Sequence, residues 1–473
     1  MNILCFQEGV RLTPSHLMNQ LLTKNINVND VLKQLELSHV LKHRVPKIDL
    51  GEIMVESEQI EQDWYEYYTF KYVGLILIND LCLIVYPKYI KNIAKDFYGN
   101  KQKLLQLMQV IDKYQSSTAY DASVDGISES FLSLQIKLLK DYLEYGLYFN
   151  DEAVIEVNCE GETLWEKTIN ESTAYLVEGT PFYFDLFTKT NVLNEMDTIR
   201  RIHAAIITEI SSNLSPILPI LGMSTLVLSD EEKNDFGDND YLEYLIEQEL
   251  GRQFITSKQL LLYDLINYIR QATTHRSSDT IEIYGTSSFN LIWENICKKI
   301  YHDNLDHRLK SLNLSLTGMA SNGEWIDYSE REKLKDIVDR PLWLEKKSGE
   351  SVEASKSLEL DVLHINHQKQ RFEIFDGKYY NIRFNDNKVE GQPGVGDVTK
   401  QYLYQLAYKN IAEINGYSFT NAFIVPIDEL DEDIGNGVQI ATVKLKMLQM
   451  LGLHDIKVIA RDCEKFYAEY LAL

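Results

Sequence analysis

The sequence predicts an α/β chain, α+β overall, whose C-terminal part is built on a central mixed sheet. Three observations carry this. Residues 358–378 (LELDVLHINHQKQRFEIFDGK) read as two short strands joined by a polar turn at 367–370. An apolar stripe precedes them, with Phe289, Ile292, Trp293, Ile296 and Ile300 at i, i+3, i+4, i+7 and i+11 of a helix capped by Ser287 or Ser288. After them come a helix over about 398–415, strands over 418–426, 438–445 and 456–460, and a terminal helix at 463–473. Helix, hairpin, helix and strand in that order builds an α/β layer on a mixed sheet.

The earlier elements follow in order. Residues 1–60 mix helical and extended pieces, with Val31, Leu32, Leu35 and Leu37 at roughly helical spacing. Segments 72–78 and 81–86 are apolar almost throughout and are joined by Asn79-Asp80, so they read as a hairpin buried on both faces. Lys88, Lys91 and Lys95 follow at near-helical spacing and read as a solvated basic face. Helices are expected over 102–115, 130–147, 194–212 and 241–266, with strands at 150–159 and 180–186. The polar stretch 274–280 marks the main boundary. The expected division is an N-terminal α+β region at 1–190, a helical connecting region at 191–280 and a C-terminal domain at 281–473.

Composition narrows the function. A net charge of −24 over 473 residues excludes bulk electrostatic coating of nucleic acid and disfavours a membrane surface, while leaving room for a local basic groove. Five scattered cysteines without a CxxC fit neither a zinc ribbon nor a disulfide scaffold, and point to a reducing cytosol. The first residues lack a cleavable signal pattern, and no apolar run approaches the roughly 20 residues that span a bilayer. A cytoplasmic protein is expected. The glycine-rich loop 391–397 (GQPGVGD) has no following Gly-Lys-Ser/Thr, so it reads as a connection, and this chain is expected to bind no nucleotide.

The chemistry concentrates on the hairpin. Side chains alternate along a strand, so Phe372, Ile374, Asp376 and Lys378 share one face and Gly377 takes the other. Pairing of the two strands would bring Asp361 to Asp376. Two carboxylates beside a lysine suit a hard divalent cation, Mg²⁺ or Mn²⁺, and a water nucleophile. Lys378 would orient or deprotonate that water and stabilise transition-state charge. Glu294 lies beside the apolar stripe of its helix, placed to complete the ligand shell through water or at a second ion. Gln401 and Gln405 are helical neighbours, as are Tyr404 and Tyr408, and amides at a helix start suit phosphate or base contact. Trp165 and Trp293 read as core, His364 and His367 as solvated, and His203 as packed or capping. Lys298-Lys299 and Lys346-Lys347 read as ordinary exposed lysines.

The ordered set of Glu294, Asp361, Asp376-Gly377-Lys378 and Gln401 resembles the core of the PD-(D/E)xK nucleases. The stretches YGTSSFNLIWENICKKIY (284–301), ELDVL, FDGKYY and DVTKQYLYQLAY (397–408) are similar to the nuclease subunit of LlaJI-type restriction systems, relatives of the McrC subunit of McrBC. So, upstream, are YVGLILINDLCLIVYPKY (72–89), GETLWEKTI (161–169) and PFYFDL (181–186). The resemblance implies a restriction-endonuclease-like C-terminal domain with Asp361 and Asp376 as metal ligands and Lys378 as the catalytic lysine. Glu294 becomes the helix acid and further metal ligand, and Gln401 the helix glutamine. Leu360 stands where the motif has proline, and Gly377 takes its variable position. The resemblance also implies double-stranded DNA as substrate and a McrB-like AAA+ GTPase as partner, with assembly onto the motor ring. The 72–86 hairpin is the expected contact with that motor. The function expected is a metal-dependent DNA endonuclease subunit of a GTP-driven phage-defence system. Two alternatives remain: a non-catalytic activator of an AAA+ ring, and a stand-alone repair-type nuclease.

Overall fold

A computed structural model describes residues 2–22, 27–45, 65–78, 81–91, 93, 100–119, 130–194, 196–274, 281–321, 323–346, 349–385, 388–430, 437–449 and 451–473. The chain forms two compact units. One joins Met1–Gly126 to Ile283–Leu473, and the other is Ile127–Glu282. The border expected at 280 lies within three residues of the observed one, whereas the border expected at 190 falls instead at 126, and the first segment joins the last. The reason is a strand pairing between distant segments: Glu282–Thr286 joins the sheet of the N-terminal hairpin.

That sheet runs in the order Asn2–Gln7, Leu81–Tyr86, Val73–Ile78, Glu282–Thr286. Asn2–Gln7 lies parallel to Leu81–Tyr86, and the hairpin closes antiparallel with Ile78 opposite Leu81. Every residue of Leu81–Tyr86 is buried, as is every residue of Val73–Ile78 except Leu77. Strands covered on both faces read as continuous apolar runs, as these do. The expectation that this hairpin meets a partner is therefore corrected for its strands, whose side chains are enclosed; the turn 79–80 lies outside the described residues. At Gly74 a Cβ would run into the Tyr284 carbonyl, so only glycine lets these two strands approach as they do.

The second sheet of this unit is mixed and five-stranded: Val362–Asn366, Arg371–Gly377, Ser418–Ile427, Ile456–Asp462, Val438–Val443. The first pair is antiparallel, the next two are parallel, and the last is antiparallel. Helices cover both faces. Phe372 and Ile374 pack with Tyr404, Tyr408 and Ile411 from the helices Val395–Ala407 and Lys409–Ile414. Phe375, on the other face, meets Tyr301 at 4.4 Å between ring centroids. There the helix Phe289–Ile300 packs on Cys463–Ala472, with Trp293 5.3 Å from Phe466.

Two local readings change. The helix expected over 398–415 starts at Val395 and breaks at Tyr408. The last three residues of the loop expected at 391–397 are thus helical: the Asp397 side chain accepts the Gly394 N–H at 3.3 Å and closes the first turn. The helix expected over 241–266 is two helices, Asn239–Leu250 and Thr256–Thr274, the first ended at Gly251. Apolar spacing continues across that break, which hid it.

The second unit packs the helices Phe131–Tyr145, Thr198–Asn213, Asn239–Leu250 and Thr256–Thr274 around Leu132, Ile136, Ile202, Ile206, Leu262 and Leu265. It also holds a three-stranded sheet in the order Asp151–Val157, Phe187–Leu193, Glu162–Thr163. His203 is fully buried, and its Nδ1 accepts the Tyr148 N–H at 3.0 Å. Burial, aided by the Arg200 charge, lowers its pKa to about 4, so the ring is neutral. Trp165 is 58% exposed at the start of a short helix, which corrects its reading as core. Among the described residues no helix is long and apolar enough to cross a membrane.

Candidate active site

The hairpin register decides where the carboxylates meet. Val362 lies opposite Phe375, so the next positions along the two strands are Asp361 and Asp376. Asp361 sits one residue before its strand begins, and its Oδ2 accepts the Gly377 N–H at 3.0 Å. Asp376 is 5% exposed. Its Oδ2 lies 3.1 Å from Lys378 Nζ, and its buried Oδ1 has no hydrogen-bond partner among the described residues. Burial, and then the neighbouring Asp361 carboxylate, raise the pKa of Asp376.

Lys378 is held from two sides, since Asp397 Oδ1 lies 3.3 Å from the same ammonium. Burial pulls its pKa down, but the charges of Asp376 and Asp397 outweigh that and hold it above its ordinary value. Glu294 completes the cluster. Burial and the charge of Asp361 push its pKa up to about 7.

Gly377 explains how Glu294 comes so near. A Cβ there would stand 3.2 Å from Glu294 Cα, 3.3 Å from Cys297 Sγ and 3.5 Å from Trp293 Cδ1. The helix therefore rests on bare backbone, and Trp293 Nε1 pins it by donating to the Ile424 carbonyl at 3.0 Å. The glycine in the variable position of the motif is a packing requirement.

Glu294, Asp361, Asp376 and Lys378 are thus brought together. Gln401 is placed differently. It is fully buried, and its Nε2 donates to Asn421 Oδ1 at 2.7 Å and to the Ala422 carbonyl at 3.3 Å. Asn421 returns a bond to the Gln401 carbonyl at 3.0 Å. This amide ties its helix to the neighbouring strand and has no exposed face for phosphate or base. Gln405 pairs with His454 at 2.9 Å, and the Tyr404 hydroxyl donates to the Glu359 carbonyl at 2.6 Å. His364 lies 3.2 Å from the His302 carbonyl and His367 2.9 Å from the Tyr417 hydroxyl. Asp397 is the site residue that the sequence reading missed, because its glycine-rich surroundings pointed to a loop.

The donors are hard oxygens, as Mg²⁺ or Mn²⁺ requires. Among the described residues no group of three or more His, Cys, Asp and Glu side chains is close enough to hold a metal unaided. A two-carboxylate site leaves the remaining positions to water and phosphate, which is how Mg²⁺ is usually held. The buried Asp376 Oδ1, with no hydrogen-bond partner among the described residues, fits that cation.

Residues 72–315 and 322–458 match the family model described as LlaJI restriction endonuclease. The chain is thus of the restriction endonuclease class. It belongs to the LlaJI restriction endonuclease family, as the sequence motifs implied. It is 27% identical over 369 residues to the type II restriction enzyme BsuMI component YdjA of Bacillus subtilis (strain 168), covering 76% of this chain and 72% of that protein. Among solved structures it is similar to a half-complex of Thermococcus gammatolerans McrB AAA+ hexamers with bound McrC. That match has 10% identity, a TM-score of 0.37, and coverage of 100% and 99% of the two chains. A second is the McrBC complex of the same organism, with 11% identity, a TM-score of 0.24, and coverage of 64% and 88%.

Proposed function

We propose that this chain is the DNA-cleaving subunit of a restriction system and that Glu294, Asp361, Asp376 and Lys378 form a PD-(D/E)xK active site. One observation carries the reading: Asp361 and Asp376 meet beside Lys378, while Asp376 Oδ1 is buried with no geometric hydrogen-bond partner among the described residues. Asp361 and Asp376 would hold Mg²⁺ or Mn²⁺, with Glu294 reaching it through water. When bound, the cation lowers the pKa of water and offsets charge on the phosphate.

The chain's own groups do the rest. Lys378, kept protonated by Asp376 and Asp397, donates a hydrogen bond that orients the attacking water and faces the growing phosphate charge. A lysine held protonated suits orientation of that water rather than its deprotonation. Asp361 is itself oriented by the Gly377 N–H. Gln401 acts as a positioning residue, holding the Asp397 helix on its strand.

The substrate in this reading is double-stranded DNA in the cytoplasm. A net charge of −24 leaves most DNA affinity to another subunit. A McrB-like AAA+ GTPase is the partner that the sequence motifs imply, and the Bacillus relative is by its name one component of an enzyme. The test is Asp376→Ala. Plasmid cleavage in Mg²⁺ should fall by on the order of a thousandfold or more, as for loss of a unit catalytic group, with folding and partner binding intact. Chelation should abolish cleavage by the unsubstituted chain. Undiminished cleavage by Asp376→Ala overturns the assignment.

A further inference from the structure

The N-terminal sheet ends against the residues that follow Lys378. Glu8 comes directly after the strand Asn2–Gln7, and Lys88 lies two residues beyond Leu81–Tyr86. Those strands are parallel neighbours, so the two side chains leave the sheet at the same end. Tyr379 is buried between them. Its hydroxyl donates to Glu8 Oε2 at 2.5 Å and accepts the Lys88 N–H at 3.3 Å. The Lys88 ammonium stands 4.4 Å from the centre of the Tyr379 ring and 5.6 Å from that of Tyr380. Asn381 Nδ2 donates to the Lys88 carbonyl at 2.9 Å. Three consecutive residues after Lys378 are thus held by Glu8 and Lys88. This overturns the reading of Lys88 as part of a solvated face; Lys95 lies outside the described residues.

The contacts lead back to the site by two routes. Tyr379 is bonded to Lys378 through the chain, and its ring lies 5.2 Å from Phe289, at the start of the Glu294 helix. Tyr380, under the Lys88 ammonium, reaches Asp397 Oδ2 with its hydroxyl at 3.5 Å, and Asp397 holds Lys378. Partly buried charges gain little net stability, because desolvation consumes most of the attraction. Burial raises the pKa of Glu8 and lowers that of Lys88, which is the mark of that cost. A pair that contributes little to stability yet fixes three residues beside a reactive lysine is placed for orientation.

We infer that Glu8, Lys88 and Tyr379 are positioning residues for Lys378, so that the N-terminal sheet completes the geometry of the active site. This rests on the nuclease reading above. Orientation errors of about 1 Å can cost on the order of a hundredfold in rate, and removal of outer partners of a site costs roughly 10–100-fold.

The test uses the full chain under conditions where the unsubstituted protein cuts plasmid DNA in Mg²⁺. Tyr379→Phe removes only the hydroxyl. Glu8→Gln combined with Lys88→Met removes both charges together, so neither is left buried alone, and it serves if the first variant fails to fold. Each should lower the single-turnover rate constant roughly tenfold or more while leaving KM within about twofold and Mn²⁺ binding unchanged. Lys88→Arg, whose guanidinium also stacks on aromatic rings, should recover most of the rate. A rate constant unchanged in both variants, or a loss confined to the fraction of active molecules, overturns the inference. If Asp376→Ala still cuts, the nuclease reading itself has failed. If Asp376→Ala is dead while both variants cut at full rate, only the positioning role has.

Discussion

Gly377→Ala places one methyl group between the hairpin and the Glu294 helix. The new carbon would stand 3.2 Å from Glu294 Cα, 3.3 Å from Cys297 Sγ and 3.5 Å from Trp293 Cδ1. Two of these are tighter than ordinary contact: one neighbour is backbone, and the other is the sulfur of a buried cysteine. Cys297 and Trp293 are fully buried, and Trp293 is tied to the Ile424 carbonyl, so the helix has to move as a body by a few tenths of an ångström. Overpacking of this kind costs about 1–3 kcal/mol. For a unit of several hundred residues that lowers the melting midpoint by on the order of a few degrees. The shift also carries Glu294 away from Asp361, so cleavage should fall further than stability does. Calorimetry and single-turnover cleavage on the same preparation measure both. Cys297→Ala in the Gly377→Ala background should restore part of each loss by removing the sulfur, while the contact with Glu294 Cα remains. An alanine variant with an unchanged midpoint and rate would refute the claim that the helix rests on bare backbone.

Asp397→Asn should lower cleavage by roughly 10–100-fold, as for other outer partners of a site, with Mn²⁺ binding retained; an unchanged rate removes Asp397 from the site. Below pH 6.5 the second unit should lose stability. His203 has a folded pKa of about 4 against an ordinary 6.5, so the unfolded chain takes up the proton first. The loss should run from about pH 6.5 down to about pH 4, reach at most about 3 kcal/mol, and leave stability flat in this respect above that window. Denaturant melts across that range, with and without His203→Gln, read it, and the same slope in both proteins would exclude the histidine. Trp293→Ala should cost about 3–5 kcal/mol, and Trp165→Ala, at 58% exposure, less than about 0.5 kcal/mol; equal losses in thermal melts would contradict the burial of the two rings.

The geometry at the heart of the candidate site was legible because a hairpin obeys a simple rule. Alternation with period two and a four-residue turn at 367–370 leave one register that buries Phe372 and Ile374, and that register sets Asp361 against Asp376. The helix stripe from Phe289 to Ile300 was equally clear, since all but its last member are deeply buried. Asp397 was not legible as a site residue. Three glycines in GQPGVGD lower helix propensity, yet a helix starts there, its first turn closed by the Asp397 side chain. Lys88 escaped for another reason: its partners Tyr379 and Tyr380 lie nearly three hundred positions along the chain, beyond any local pattern. Trp165 misled because an aromatic side chain near a strand usually packs inside, whereas here it opens a short helix. The joining of the first segment to the last was hidden likewise, since nothing near 283–286 records that the chain returns to pair with 73–78.

That return has a consequence for how the protein is made. The strand Val73–Ile78 emerges from the ribosome some two hundred residues before its neighbour Glu282–Thr286. At about 5–20 residues per second, the nascent chain carries an open apolar sheet edge for on the order of ten seconds or longer. Over that interval the edge is a natural target for chaperones, and a chain released early would keep it. Such a chain would also lack the hairpin at 362–377, and with it every carboxylate paired there. If the proposed site is the one that cuts, translation order separates the sticky stage of this protein from its reactive one: a fragment can aggregate or be degraded before the paired carboxylates exist.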